Sequence, residues 1–222
     1  MNIGWLIGLA SSSLLLFLAY FFLSIGNYKR RFNIDFDIRN HFPYEFNFES
    51  KFTDNILGNS ALILSGGFSI ALFACSAVYK NNNGMLFVAL IAGVSLTIMF
   101  LVINFIPLKF LKTHLVFSIL LFVASFITPA AIGMTAFRDY QEYSSVGSLI
   151  LFIIAAIVAL FNFALVMNPK LTLNIRMEVA TDEKGNEYYI RPKFIVLAFS
   201  QWMMIFTLFI SQILLLILLI LI

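Results

Sequence analysis

Charge is scarce in this chain, and its absence is organised. Only 11% of the 222 residues are Asp, Glu, Lys or Arg. Six apolar runs, 3–26, 56–79, 85–107, 114–137, 146–167 and 194–222, hold none of them. A soluble domain averages about 25% charged and about 45–50% apolar residues. Here the apolar share is 61% and the mean hydropathy +0.97, which excludes a water-soluble globule. Cysteine is nearly missing too: Cys75 stands alone, so no intrachain disulfide can form and a cysteine-based zinc or iron–sulfur site is excluded. Histidine occurs twice, at His41 and His114, with no paired-histidine motif and no glycine loop shaped to cradle phosphate. No cofactor and no metal are expected. No Asn-x-Ser/Thr acceptor occurs, and a serine nucleophile would lack an identifiable base.

What is present is a length pattern. About 20 mostly apolar residues span a bilayer as a helix, and each of the six runs is long enough. The expected fold is an all-α polytopic membrane protein, a six-transmembrane-helix bundle forming a single integral membrane domain over residues 1–222. The first run is expected to be retained as a helix rather than cleaved. The basic residues set its direction. Lys29, Arg30, Arg31, Arg39 and Lys51 fall in loop 1 (27–55), Lys109 and Lys112 in loop 3, and Lys170, Arg176, Lys184, Arg191 and Lys193 in loop 5 (168–193). Lys80 and Arg138 alone fall on the opposite side. Cytoplasmic loops concentrate Lys and Arg, so loops 1, 3 and 5 are expected in the cytoplasm and both termini outside. The expected location is a bacterial or archaeal cell membrane. Trp202 is expected to mark an interface. The basic cluster beside span 1 suits anionic headgroups and implies no nucleic acid.

Loop 1 alternates. Phe32, Ile34, Phe36 and Ile38 interleave with polar residues, and after His41 so do Phe42, Tyr44, Phe46 and Phe48. Loop 5 repeats the pattern from Leu171 to Val179, turns near Gly185, and continues through Tyr188 and Tyr189. Period two predicts strands, and two hairpins on one side of the membrane predict a small cytoplasmic β element. Helical spacing of Phe42 and Phe46 fits an interfacial helix as the other reading. The candidate partner-binding residues of this cap are Phe36, Phe42, Tyr44, Phe46, Tyr188 and Tyr189.

Three further groups carry possible chemistry. Gly4, Gly8 and Ser12 form a small-residue stripe that lets helices approach closely; its uses are internal packing or docking of another subunit. Asn59, Asn104 and Asn162, with the kink-forming Pro129, are candidates for a solute path. Asp35, Asp37, His41 and Glu45 form an acidic cluster that could bind a cation or transfer protons, or serve only as a solvated face. Three functions follow. The first is a non-catalytic membrane subunit or scaffold whose cap binds a partner protein, another subunit or a second copy. The second is a channel or carrier for a small or lipophilic solute. The third is a membrane-surface enzyme using the loop 1 acids. The lipid bilayer is a partner in all three.

Overall fold

The computed structural model describes residues 2–47, 51–79, 84–106, 110–171, 178–181 and 187–222. It contains six long helices: α1 (Ile3–Phe32), α2 (Ile56–Tyr79), α3 (Gly84–Ile103), α4 (Leu111–Tyr143), α5 (Val146–Val166) and α6 (Val196–Leu221). All six are long and apolar enough to cross a membrane.

Their ends follow local rules. Asn2 caps α1, its side chain accepting the Gly4 N–H at 3.0 Å. The basic last turn, Lys29–Arg31, suits the negative end of the helix dipole. It carries α1 past residue 26, where the apolar run ends. Asn33 then stops the helix in the left-handed region at φ 55°. Ser144 does the same for α4, and Ser145 at once caps α5 through the Ser148 N–H. Two adjacent serines thus reverse the chain between two spans.

Consecutive helices pack on one another from α1 to α5, and α6 touches all five. The architecture is an open ring wrapped around a central helix. Burial agrees: 61% of the most apolar window of α6 lies inside the protein, against 28% for α1 and 22% for α5. Small residues set the close approaches. A Cβ on Gly93 of α3 would lie 2.3 Å from the Phe73 ring of α2, and one on Gly133 of α4 would lie 3.1 Å from the Ala155 Cβ of α5. Ile210, Ile213, Ile217 and Ile220 remain exposed along one stripe of α6.

Among the described residues, two hairpins do not combine into a sheet. Among the described residues, loop 1 contains no strand: a turn over Asp37–His41 leads into a 3-10 turn, Pro43–Asn47, and a second 3-10 turn, Phe52–Asn55, feeds α2. The alternating aromatics of loop 1 converge on the helix ends instead of lining one face of a ladder. In loop 5, β1 (Glu178–Thr181) runs antiparallel to β2 (Glu187–Ile190), with Glu178 opposite Ile190 and Thr181 opposite Glu187. Among the described residues this ladder has its own two strands alone. The turn expected at Gly185 and the alternation over 172–177 lie outside the described residues.

Pro129 sits inside α4 without ending it. Lacking an N–H, it leaves the Ser125 carbonyl without its helical donor. Asn162 of α5 fills the vacancy, donating from Nδ2 to Ser125 O at 2.9 Å, while its Oδ1 accepts the Thr207 hydroxyl of α6 at 3.1 Å. One amide thus repairs a helix and ties three together. Asn162→Leu is expected to lower stability by about 1–2 kcal/mol. Pro129→Ala added to it should restore part of that loss, because the new N–H can serve Ser125. Denaturation of the purified protein in mixed detergent checks the cycle; simple additivity of the two substitutions would contradict the repair.

Candidate functional site

The densest cluster of polar and aromatic side chains lies at the end of the bundle where loops 1, 3 and 5 meet. Pro43 begins the 3-10 turn whose tight rise directs Phe42, Tyr44, Glu45 and Phe46 inward, all of them buried. Phe46 packs against Trp202 of α6 with ring centroids 5.6 Å apart, and Phe36 stacks on Phe46 at 4.1 Å. Tyr28, at the end of α1, meets Phe36 and His41 edge-on. The Trp202 indole N–H donates to the His41 carbonyl at 2.8 Å. Trp202 is therefore fully buried under loop 1 and faces neither lipid nor water.

One ion pair crosses this plug. Arg191 grips Glu45 through two parallel hydrogen bonds, Nη1 to Oε2 at 2.8 Å and Nη2 to Oε1 at 2.5 Å. The carboxylate side chain is only 8% exposed and the guanidinium 33%. Such a fork matches a carboxylate in charge and geometry. Two backbone links run beside it: the Ile195 N–H donates to Arg39 O at 2.8 Å, and Asn40 Nδ2 to Pro192 O at 3.2 Å. Loop 1 and the segment leading into α6 are thus fastened residue against residue.

Loop 3 joins through His114 at the start of α4. Its Nδ1 lies 2.8 Å from Ile106 O, which places the proton there and leaves Nε2 to accept from Gln201 Nε2 at 3.1 Å. Gln201 also donates to Ser118 Oγ at 3.0 Å. His114 is wholly buried.

The acidic cluster expected in loop 1 is dispersed. Asp35 pairs with Lys29 at 2.8 Å in an exposed position, Asp37 with Arg39 at 2.7 Å, and Glu45 with Arg191. Each carboxylate already has its own cation. Hydrogen bonds from Arg39 hold the Asp37 carboxyl below its usual value. Among the described residues no group of three or more His, Cys, Asp or Glu side chains could hold a metal. Burial raises the Tyr44 phenol well above its ordinary value, with the Glu45 charge adding to it. Burial lowers the His41 imidazole, which Glu45 and Asp37 partly oppose.

The candidate solute path does not assemble either. Asn59, Asn104 and Asn162 are fully buried, and each serves a different joint. Asn59 donates to Phe52 O at 3.2 Å. Asn104 accepts the Tyr20 hydroxyl at 2.6 Å and donates to Phe100 O. Asn162 serves the carbonyl freed by Pro129.

Of the partner-binding candidates, Phe42, Tyr44 and Phe46 are buried and Phe36 is half-buried, so a chain meeting this end would not touch the first three. Tyr188 and Tyr189 lie in β2, opposite Ala180 and Val179; their side chains lie outside what is described. Gly4 and Gly8 are exposed on α1, and Ser12 is half-buried. A Cβ on Gly8 would meet nothing within 4 Å. At Gly4 and Gly8 the stripe therefore meets no other helix of this chain.

Sequence reasoning missed Arg191 as the partner of Glu45. The signal was present in part: a carboxylate between Tyr44 and Phe46 needs a compensating charge if the aromatics are buried. Which cation supplies it depends on long-range contact that spacing does not encode. No protein family, no curated protein and no solved structure matches this chain.

Two outcomes test the plug. Arg191→Met leaves a buried carboxylate unpaired and is expected to cost about 3–5 kcal/mol. Glu45→Gln with Arg191→Met should recover much of that loss in detergent unfolding. For His41 the folded imidazole titrates below its unfolded value of 6.5. The unfolded chain then takes up a proton that the folded one refuses. Stability is unaffected above about pH 6.5 and falls as pH drops from there toward the folded value. His41→Gln should flatten the Tm decline between about pH 6.5 and 5; an unchanged slope would contradict it.

Proposed function

We propose that this chain is a non-catalytic integral membrane subunit, a bundle that joins a membrane assembly sideways along α1. The observation that carries the reading is the uncovered α1 face. Gly4 and Gly8 present bare backbone outward, whereas Gly93 and Gly133 are used for packing inside the bundle. Small residues four apart let two helices approach closely in lipid, where apolar side chains gain nothing from hiding. The stripe matches itself under twofold symmetry, so the occupant it fits is α1 of a second copy. Its setting supports the reading: Asp35, Asp37 and Glu45 of loop 1 are engaged with cations, and Asn104 and Asn162 are engaged with neighbouring helices. The excess of Lys and Arg in loops 1, 3 and 5 supports placing the plugged end in the cytoplasm.

A second reading, a carrier for a lipophilic solute, draws on one feature. An apolar groove of about 530 Å³ opens between α4, α5 and α6, lined by Phe122, Phe126, Phe163 and Leu197 among others.

The test of the first reading is cysteine cross-linking in native membranes, with Cys75→Ser as background. Gly8→Cys should give a covalent dimer, and Leu14→Cys, at a half-buried position facing the bundle, should not. Gly8→Leu should abolish dimers formed through Gly4→Cys. Monomer alone under all conditions would overturn the reading.

A further inference from the structure

A second polar site lies on the flank of the bundle, outside the plug. Between the last turns of α1 and the start of α2 runs a cleft of about 520 Å³. Its two halves differ in chemistry. Phe22, Leu23, Ile56 and Leu57 line one half, and all four are exposed. Asn27, Arg30 and Asp54 line the other. Along α1 the eight steps from Phe22 to Arg30 rise about 12 Å, so the cleft passes from apolar to charged over the depth of a headgroup region.

Its polar half is left open. Arg30 forms no ion pair among the described residues; Nη2 donates to Asn27 Oδ1 at 3.1 Å. That bond fixes the orientation of the Asn27 amide, whose Nδ2 is buried and has no partner. The whole residue is only 9% exposed. An unsatisfied buried donor costs free energy, and here it is a residue lining the cleft. Asp54 uses Oδ2 to accept the Lys51 N–H at 2.8 Å. Asp54 and Arg30 share the cleft without forming a salt bridge, so it presents one cationic and one anionic group held apart.

We propose that this cleft binds one phospholipid with a primary-amine headgroup. The phosphate lies against the Arg30 guanidinium, which Asn27 holds in place, the ammonium against the Asp54 carboxylate, and the acyl chains along Phe22, Leu23, Ile56 and Leu57. A charge pair that fails to close on itself complements a zwitterion. A purely anionic lipid would satisfy Arg30 but place its charge near Asp54. A quaternary amine could not donate hydrogen bonds to that carboxylate.

Native mass spectrometry of the detergent-purified chain, with defined lipids added, tests this. Wild type should hold phosphatidylethanolamine about tenfold more tightly than phosphatidylglycerol or phosphatidylcholine. Arg30→Gln should weaken retention of all three about tenfold. Asp54→Asn should erase the preference for the amine. Gly26→Phe enters the cleft where a Cβ meets nothing within 4 Å, so it should block binding without disturbing the fold. Lys29→Gln, whose ammonium is already paired with Asp35, should change nothing. Equal binding of phosphatidylglycerol and phosphatidylethanolamine by wild type would overturn the proposal. So would retention in Gly26→Phe, or binding of soluble phosphoethanolamine as tight as that of the lipid.

Discussion

Hydrocarbon offers no hydrogen bonds, and every polar group carried into it must find a partner within the protein. In this chain α6 supplies partners to several of the other helices at once. Gln212 donates to Ser69 of α2 at 2.6 Å and reaches Ser13 of α1 at 3.4 Å. Thr207 donates to Asn162 of α5, Gln201 to His114 and Ser118 of α4, and Trp202 to the carbonyl of His41. A single helix without one charged residue is thus bonded to four others and to loop 1. Each such bond across helices contributes only about 0.6 kcal/mol on average, so it is their distribution around the axis that fixes the arrangement. Packing against glycine and alanine then brings the outer helices to contact distance.

The plug follows from the same rule at a different depth. Loop 1 folds over the end of α6 and shields its first turns, and its aromatics exclude water from Glu45, while Arg191 keeps about a third of its side chain exposed. Burying two charges is costly unless they meet with good geometry, and the bidentate contact provides that. The ion pair therefore reports how the loop is registered on the bundle. A shift by one residue in either strand of chain would leave a charge alone among aromatic rings.

Much of the membrane architecture was legible in the sequence, because a span is a property of composition over about 20 residues. The helices extend beyond the apolar runs where local chemistry permits: α1 continues through Lys29–Arg31 and α4 through Arg138–Tyr143. Loop 1 was misread for a definite reason. Alternation of Phe with Asn, Asp and Glu is the pattern of a ladder, yet Pro43 lacks the donor a central strand requires and starts a 3-10 turn instead. The aromatic side chains then point to a common centre. Their target, Trp202, lies about 160 residues away in sequence, at a separation |i−j| of 161 from His41. The roles of Asn162 and Pro129 were hidden similarly: each was conspicuous as a polar or kinking residue, but only proximity shows one completing the other.

Position along the chain gives the central helix a further meaning. Because α6 follows the other five, it is synthesised after them, and domains form in the order of synthesis. Ser13 and Ser69 already bond to each other, Asn162 to the Ser125 carbonyl and His114 to the Ile106 carbonyl among the earlier spans. The bonds from Gln212, Thr207 and Gln201 are added only when α6 arrives. The side of α6 that carries Ile210, Ile213, Ile217 and Ile220 faces outward, so the ring of earlier spans stays open along one seam even after the central helix is in place.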